Sequence, residues 1–351
     1  DEGHTKQAGI AEELRKKYWP NKKVANYDSG DTRGWRVQEA RDQLRRDKDW
    51  ESNFRSVLYR PFDFKILFYT DYMIDWPRLE IMSQMLQPNI SLCVGRAGSA
   101  ADNQEWNIVF VANTLVDMNL FYRGGNVNYP LRFTVSSNCL GFNQKSRPNF
   151  NSKFLKTLSA TLDLKQKDDF DTPENISSEN IFHYIYAIFH SPNYRTRYAE
   201  FLKIDFPRLP LTSSLDLFRA LSELGGELVA LHLMESPKLD QHITTYTGNT
   251  APVVDKVSYA NDTVWLDKAQ KIGFIGVPEN VWNFHIGGYQ VCNKWLKDRK
   301  GRTLSADDLN HYQRIVVALA ETIRLMAEID EVIEQYGGWP GAFSTITEES
   351  S

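Results

Sequence analysis

Apolar positions along this chain change period several times, and the changes divide it into blocks. Residues 9–24, around AEELRKKYWPNKK, predict a short charged helix. A loop follows at 28–34, and residues 35–54 return to helix with Arg and Asp on the outer face. From 62 to about 158 the runs become short, β-branched and aromatic: KILFYT, ISLCVG, NIVFVA, MNLFY and LRFTV. Gly, Asn, Pro and Ser separate them, which is the signature of strands joined by loops. The loops at Gly124-Gly125-Asn126 and Ser146-Arg147-Pro148-Asn149 are long enough to reach a ligand. Residues 174–236 read as helices, IFHYIYAIFH, YRTRYAEFLK and SLDLFRALSELGGELVALHLM, the last with apolar residues near i, i+3, i+4 and i+7. Residues 253–276 predict two or three more strands, in VVDKVSY, TVWLD and KIGFI.

Gly287-Gly288 then breaks the pattern, and Tyr289, Val291, Cys292 and Trp295 recur at roughly helical spacing. Ser305 with Asp307-Asp308 has the chemistry of a helix N-terminus. The helix it opens has about 30 residues, roughly 45 Å at 1.5 Å per residue. Its predicted apolar stripe is Leu309, Tyr312, Ile315, Val316, Leu319, Ile323, Met326, Ile329 and Ile333, and Gly337-Gly338 ends it. There is no internal repeat and no low-complexity segment. The mixture predicts an α+β fold, a strand-rich subdomain braced by helices with a long C-terminal helix.

Composition sets bounds on this picture. With 351 residues, 42% of them apolar and 13% aromatic, the chain can bury a core for one large domain or two. No apolar run reaches 18 residues, so no membrane span is expected, and no signal peptide is evident. Asp1 in place of Met suggests a piece of something longer. Cys93, Cys139 and Cys292 lie far apart, which suits buried thiols in a reducing cytoplasm better than a disulfide framework or a metal site.

A net charge of −4 argues against a generic nucleic-acid binder, but the charge is polarised. Residues 118–162 hold no Asp or Glu and carry Arg123, Arg132, Lys145, Arg147, Lys153 and Lys156. Residues 303–351 hold nine acids against Arg314 and Arg324. A second basic cluster, Lys294, Lys297, Arg299, Lys300 and Arg302, has only Asp298 among it. Such a tip suits phosphates. A solvated helix end, where basic residues favour the C-terminal dipole, fits the same residues.

The segment GFNQKSRPNFNSK concentrates a further set of donors without a carboxylate. Lys145, Arg147 and Lys153 suit phosphate contact. Arg147, Asn143, Gln144, Asn149 and Asn151 suit base edges, since Arg matches guanine and Asn or Gln matches adenine bidentately. Asn, Pro and Ser also serve turns for backbone reasons alone. Arg96 and Asn103, after ISLCVG, form a second candidate loop. Arg60, Pro61 and Asp63 read as a structural corner with Arg60 paired to a carboxylate, and Arg195 and Arg197 as clamps of the helical segment. His183 and His190 sit among aromatics and read as core residues.

Catalytic signatures are missing from the string. There is no Asn/Asp-Pro-Pro-aromatic tetrapeptide to hold a flipped adenine, no glycine-rich loop for S-adenosylmethionine and no Walker A loop. Nor is there a nuclease-type carboxylate–lysine arrangement or a metal-spaced pair of histidines. The sequence therefore assigns no catalytic and no metal-binding residue.

Three longer strings carry a resemblance. WNFHIGGYQVCNKWLKDRKGRTLS (282–305), YRPFDFKILFYTDYMIDWPRLEIM (59–82) and IFHYIYAIFHSPNYRTRYAEFLKIDFPRLPLT (181–212) are similar to blocks near the C-terminus of type ISP restriction–modification enzymes and related adenine-specific DNA methyltransferases. The blocks keep the family's order and span most of 30–338.

The resemblance implies a target-recognition region in a bacterial phage-defence enzyme. Residues 1–55 would be a helical linker or tail of an upstream methyltransferase domain, and 56–162 the strand-rich recognition part. Residues 163–240 would be a helical part, 241–304 a small β segment with the basic helix tip, 305–338 the long helix and 339–351 a tail. The implied partners are double-stranded DNA and the upstream methyltransferase, with no membrane. No cofactor is expected in this piece; S-adenosylmethionine, ATP and Mg2+ are expected for the parent, a methyltransferase and restriction endonuclease. A bracing module that touches protein rather than DNA is the alternative.

Overall fold

The structure, a computed structural model, describes residues 35–96, 105–122, 125–134, 146–248 and 251–343. The helix expected at 9–24 and the loop at 28–34 lie outside these residues. The described residues fall into two compact units, one within 35–55 and 66–79 and the other within 56–65 and 80–343.

In the first unit, helix α1 (Val37–Arg46) is shorter than the expected 35–54. It stops because Asp47 turns into an extended conformation and its carboxylate binds elsewhere. Its Oδ2 accepts from Tyr72 Oη at 2.6 Å and from Asn53 Nδ2 at 3.0 Å. A 3-10 turn over Trp50–Asn53 follows, and strand begins at Phe54.

Strands β1 (Phe54–Arg60) and β2 (Asp63–Phe68) are neighbours in one small sheet. At the turn between them Phe62 takes φ +61°, a conformation uncommon for an aromatic residue. Burial of its ring against Phe110, with centroids 5.2 Å apart, holds it there.

In the second unit, the core sheet centres on β3 (Ser91–Val94), flanked antiparallel by β4 (Val109–Ala112) and β6 (Val127–Pro130). Every residue of β3 and β4 is buried, which explains their unbroken apolar runs. The short β5 (Leu115–Val116) pairs parallel with β1 through Val57 and Leu58. The expected strand MNLFY is instead a pair of turns, closed by Leu120 N to Asp117 O and Tyr122 N to Asn119 O. Its apolar residues still serve the core, since Leu120 and Phe121 are fully buried. Strands β7 (Arg132–Thr134) and β8 (Ser146–Pro148) form a separate ribbon. Helix α2 (Ser152–Thr161) lies where the sequence pattern suggested strand.

The helical layer holds α3 (Ser178–His190), α4 (Pro192–Arg197), α5 (Ala199–Ile204) and α6 (Leu215–His232). A capping box between Ser177 and Asn180 opens α3. Helix α6 packs on α3, and the approach needs Gly225, where a Cβ would lie 1.9 Å from the His183 carbonyl oxygen. Four short strands follow, β9 (Thr245–Tyr246), β10 (Ser258–Ala260), β11 (Thr263–Trp265) and β12 (Gly273–Ile275), in the order β10-β11-β12-β9. Then come helix α7 (Glu279–Trp282), hairpin strands β13 (His285–Ile286) and β14 (Tyr289–Gln290), and helix α8 (Val291–Lys297).

The long helix α9 (Ala306–Gln335) has 30 residues and opens with a Ser305–Asp308 capping box. Gly337, at φ +106°, turns the chain beyond its end. Its buried stripe differs from the predicted one in the middle. Thr322 and Leu325 point inward, while Ile323 and Met326 are half-buried. Helix α9 contacts α3, α4, α6, α7 and α8 along its length, so its buried face is wider than one ideal stripe.

A hydrogen-bond chain ties α3, α6 and α9 in the core. The Thr322 hydroxyl donates to Ala318 O at 2.6 Å, so its oxygen accepts from His232 Nε2–H at 2.8 Å. Nδ1 of His232 is then the acceptor for Tyr186 Oη–H at 2.6 Å. This assigns a neutral, Nε2-protonated His232. Burial first, then the Arg195 charge, brings the His232 pKa down to about 3. Among the described residues no helix is long and apolar enough to cross a membrane.

Candidate nucleic-acid interface

The Gly287-Gly288 turn docks the β13–β14 hairpin on the core. Gly287 takes φ +58°, and a Cβ there would stand 2.7 Å from Phe121 Cβ. Its amide donates to Asn107 O at 3.3 Å, and Gly288 N donates to Phe121 O at 3.1 Å. Asn107 Nδ2 returns a bond to His285 O at 2.9 Å. Only glycine allows this backbone approach. Tyr289, expected in helical register, is a strand residue. Helix α8 starts two residues later and buries Val291, Cys292, Trp295 and Leu296.

Helix α8 therefore turns its other face outward. Lys297, Lys300 and Arg302 are exposed around a turn that closes with Gly301 at φ +78°. Lys294 is half-buried, with Nζ 4.5 Å from the centroid of the Tyr122 ring.

Arg299 corrects the sequence expectation. Its side chain is only 12% exposed, and Nη2 lies 2.7 Å from Oδ1 of the fully buried Asp63. Nη1 donates to Trp295 O at 3.0 Å, and the guanidinium lies 3.5 Å from the Trp295 ring centroid. Such a group is a clamp between the β1–β2 corner and α8, not part of a phosphate-facing tip. The corner itself is as expected, with Arg60 paired to Asp117 at 3.2 Å.

The β7–β8 ribbon carries the second candidate set. Arg147 stands opposite Phe133, is exposed, and lies 5.4 Å from the Phe170 ring centroid. Lys153 is exposed in the first turn of α2. Asn149 and Asn151 take turn and cap roles. Asn149 Nδ2 donates to Pro130 O at 3.0 Å, and Asn151 Oδ1 accepts from Lys153 N at 2.8 Å.

Asn143, Gln144, Lys145 and Asn103 lie outside the described residues. Arg96 is exposed, with its guanidinium 4.8 Å from the Phe206 ring centroid. Of the other cations in 118–162, Arg132 pairs with Glu179 at 2.7 Å and Lys156 with Asp169 at 2.8 Å. Arg195 is buried and donates from Nε to Phe189 O at 2.8 Å, whereas Arg197 is exposed. His190 is buried with Nδ1 on Tyr186 O at 2.8 Å, and His183 is half-buried.

Among the described residues no group of three or more His, Cys, Asp or Glu is placed to hold a metal ion. Sequence reasoning missed Tyr122, which the Lys294 contact links to the basic helix. Its signal was present, an aromatic residue inside the acid-free stretch, but the run around it read as strand.

The model of the Type ISP C-terminal specificity domain matches residues 6–328. The chain belongs to this family. No curated protein matches this chain. Among solved structures, it is similar to the ATP-dependent Type ISP restriction-modification enzyme LlaBIII bound to DNA, with TM-score 0.61 and 20% identity over 84% of this chain. It is also similar to the chain of a DrdV–DNA complex, with TM-score 0.62 and 20% identity over 80% of this chain. A nuclease-deletion mutant of the Type ISP enzyme LlaGI, in complex with a DNA substrate mimic, gives TM-score 0.53 at 19% identity over 79% of this chain. At these identities the likeness is one of fold. The specificity domain spans 20% of the LlaBIII and LlaGI chains and 28% of the DrdV chain.

Proposed function

We propose that this chain recognises a double-stranded DNA sequence for a restriction–modification enzyme. The observation that carries the reading is the outward cluster of Lys297, Lys300 and Arg302, with Lys294 beside it, at the end of α8. Cations so placed neutralise phosphates and position a protein on a duplex without reading its sequence. Sequence choice is assigned to the β7–β8 ribbon, with Arg147 as the reader of a guanine edge and Lys153 as a phosphate contact. Asn143, Gln144 and Lys145 fall between the two strands of this ribbon in the chain, and Arg96 and Asn103 belong to a second reading loop.

The relatives are much longer than this chain, so methyl transfer, ATP-driven movement and cleavage are assigned to other domains of a longer cytoplasmic polypeptide. S-adenosylmethionine, ATP and Mg2+ belong with those activities. This chain would select the site and seat the duplex while an adenine is flipped into a neighbouring methyltransferase pocket.

A second role, bracing the neighbouring domain, is favoured by Ile66 and Trp76. They are 73% and 74% exposed in the first unit.

Duplex selection from a random pool, followed by competition at several salt concentrations, tests the DNA reading. Replacing Lys297, Lys300 and Arg302 with Ala should weaken selected and scrambled duplexes alike. The slope of log affinity against log salt should flatten by about 0.9 per lost phosphate contact. Arg147→Ala should weaken the selected duplex by roughly 1–3 kcal/mol more than the scrambled one. Failure of the chain to bind any duplex at low salt would leave the bracing role in place of recognition.

A further inference from the structure

The basic helix α8 and the acid-free stretch 118–162 meet at one point, the Lys294–Tyr122 contact. Resting on the DNA reading above, we propose that the double turn 117–122 is a sequence-discriminating element of this surface. Tyr122 contacts a base there, with Met118 packed beside the sugar edge.

The turn is held rigidly from below. Leu120 and Phe121 are fully buried, and Asp117 N donates to Leu58 O at 3.0 Å. Asp117 Oδ1 accepts from Asn119 N at 2.7 Å and from Arg60 at 3.2 Å, so this carboxylate is neutralised where it stands. Asn126 N donates to Met118 O at 3.1 Å, and the Gly288 amide on Phe121 O locks the turn to the hairpin that starts α8.

On this base Tyr122 has φ +72°, and its side chain remains 43% exposed. Left-handed backbone is unfavourable for an aromatic residue, and such strain persists where the surroundings over-determine it. Met118 is 44% exposed close by in sequence.

Aromatic faces and flexible apolar side chains next to cations match the chemistry of a nucleic-acid groove. The cations neutralise phosphates, while the ring wedges against a base step, and the cost of opening that step depends on its sequence. Lys294 sits on the ring, a favourable cation–π placement that keeps the ammonium near the surface. A phosphate would offer that ammonium a stronger partner and leave the ring face to a base.

The test uses the duplex that the chain selects from a random pool and a scrambled duplex of equal length. Tyr122→Asn keeps a residue type that tolerates left-handed backbone, and Tyr122→Phe keeps the ring. Tyr122→Asn should weaken the selected duplex by roughly 5- to 150-fold, the range for loss of one base–aromatic contact, and change the scrambled duplex less, because there the ring meets a step that is costlier to open. Tyr122→Phe should retain selectivity. Lys294→Ala should weaken both duplexes alike.

Equal binding by parent and Tyr122→Asn, or equal losses on both duplexes, would overturn the assignment while leaving DNA recognition intact. Absence of duplex binding by the parent would remove both. A measurement on the parent alone guards against a misfolded variant. With 2-aminopurine placed in turn at each position of the selected site, one position should change fluorescence on binding, and Tyr122→Phe should preserve the change. No change at any position would overturn the proposal.

Discussion

Replacing Arg299 with Ala separates a clamp from a phosphate contact. In the clamp reading the guanidinium serves Asp63, whose side chain is fully buried and whose Oδ2 has no hydrogen-bond partner. Removing Arg299 deprives that carboxylate of its charge partner at 2.7 Å. Asp308, 3.9 Å from Arg299 Nε, is a second carboxylate and offers no replacement. Breaking a buried pair by deleting one member costs about 3–5 kcal/mol. The stack on Trp295 adds roughly 0.5–2 kcal/mol. At roughly 1.7 °C per kcal/mol for a unit larger than 250 residues, the pair alone predicts a fall in melting temperature of about 5–9 °C.

A double-mutant cycle sharpens this test. Asp63→Leu combined with Arg299→Met replaces both charges with apolar groups and should recover much of the loss, because no buried charge remains unpaired. The assays are calorimetric melting for stability and duplex titration against salt for binding. An Arg299→Ala variant that melts like the parent but flattens the salt dependence would refute the clamp and restore Arg299 to the phosphate-facing set.

Leu325, fully buried on α9, should cost about 2–5 kcal/mol when changed to Ala, and half-buried Ile323 distinctly less. Urea unfolding of the two variants checks the order, and a larger loss at Ile323 would contradict the observed face. Stability should also fall as pH drops below the ordinary histidine value of about 6.5. Burial takes His232 down to about 3 and, with the Arg195 and His232 charges, takes His190 well below its usual value. The unfolded chain therefore binds protons that the folded one refuses. The stability present above about pH 6.5 is lost progressively toward pH 3, at up to about 1.4 kcal/mol per pH unit for each such histidine. Unfolding at pH 7.5, 6.5 and 5.5 should show the decline, and His232→Gln should lessen it; a flat profile would exclude these histidines as its source.

Local chemistry made much of the fold legible in the string. Ser305 and Asp308 form a reciprocal cap whose partners lie within one turn, so their spacing alone predicted the start of α9. The buried strands β3 and β4 were visible as apolar runs bounded by turn residues. The resemblance carried by 59–82, 181–212 and 282–305 agreed with the family match over residues 6–328. Where two local readings compete, such patterns fail. The run MNLFY is apolar enough for a strand, yet its residues Leu120 and Phe121 are buried from within turns.

The candidate site depended far more on tertiary structure. Lys297, Arg299 and Lys300 look alike in a basic cluster, but Arg299 finds Asp63 across 236 positions of sequence and turns inward. Gly287 announces a break in the string, while the Phe121 backbone that requires it is far away. Asn149 and Asn151 carry the chemistry to read adenine or to cap a backbone, and only the fold shows that the Pro130 carbonyl and the Lys153 amide each engage one end of them. Sequence by itself determined the family, the α+β class and the reservoir of cations. Which cations face outward was decided only by folding, because side-chain direction follows from partners that no local period encodes.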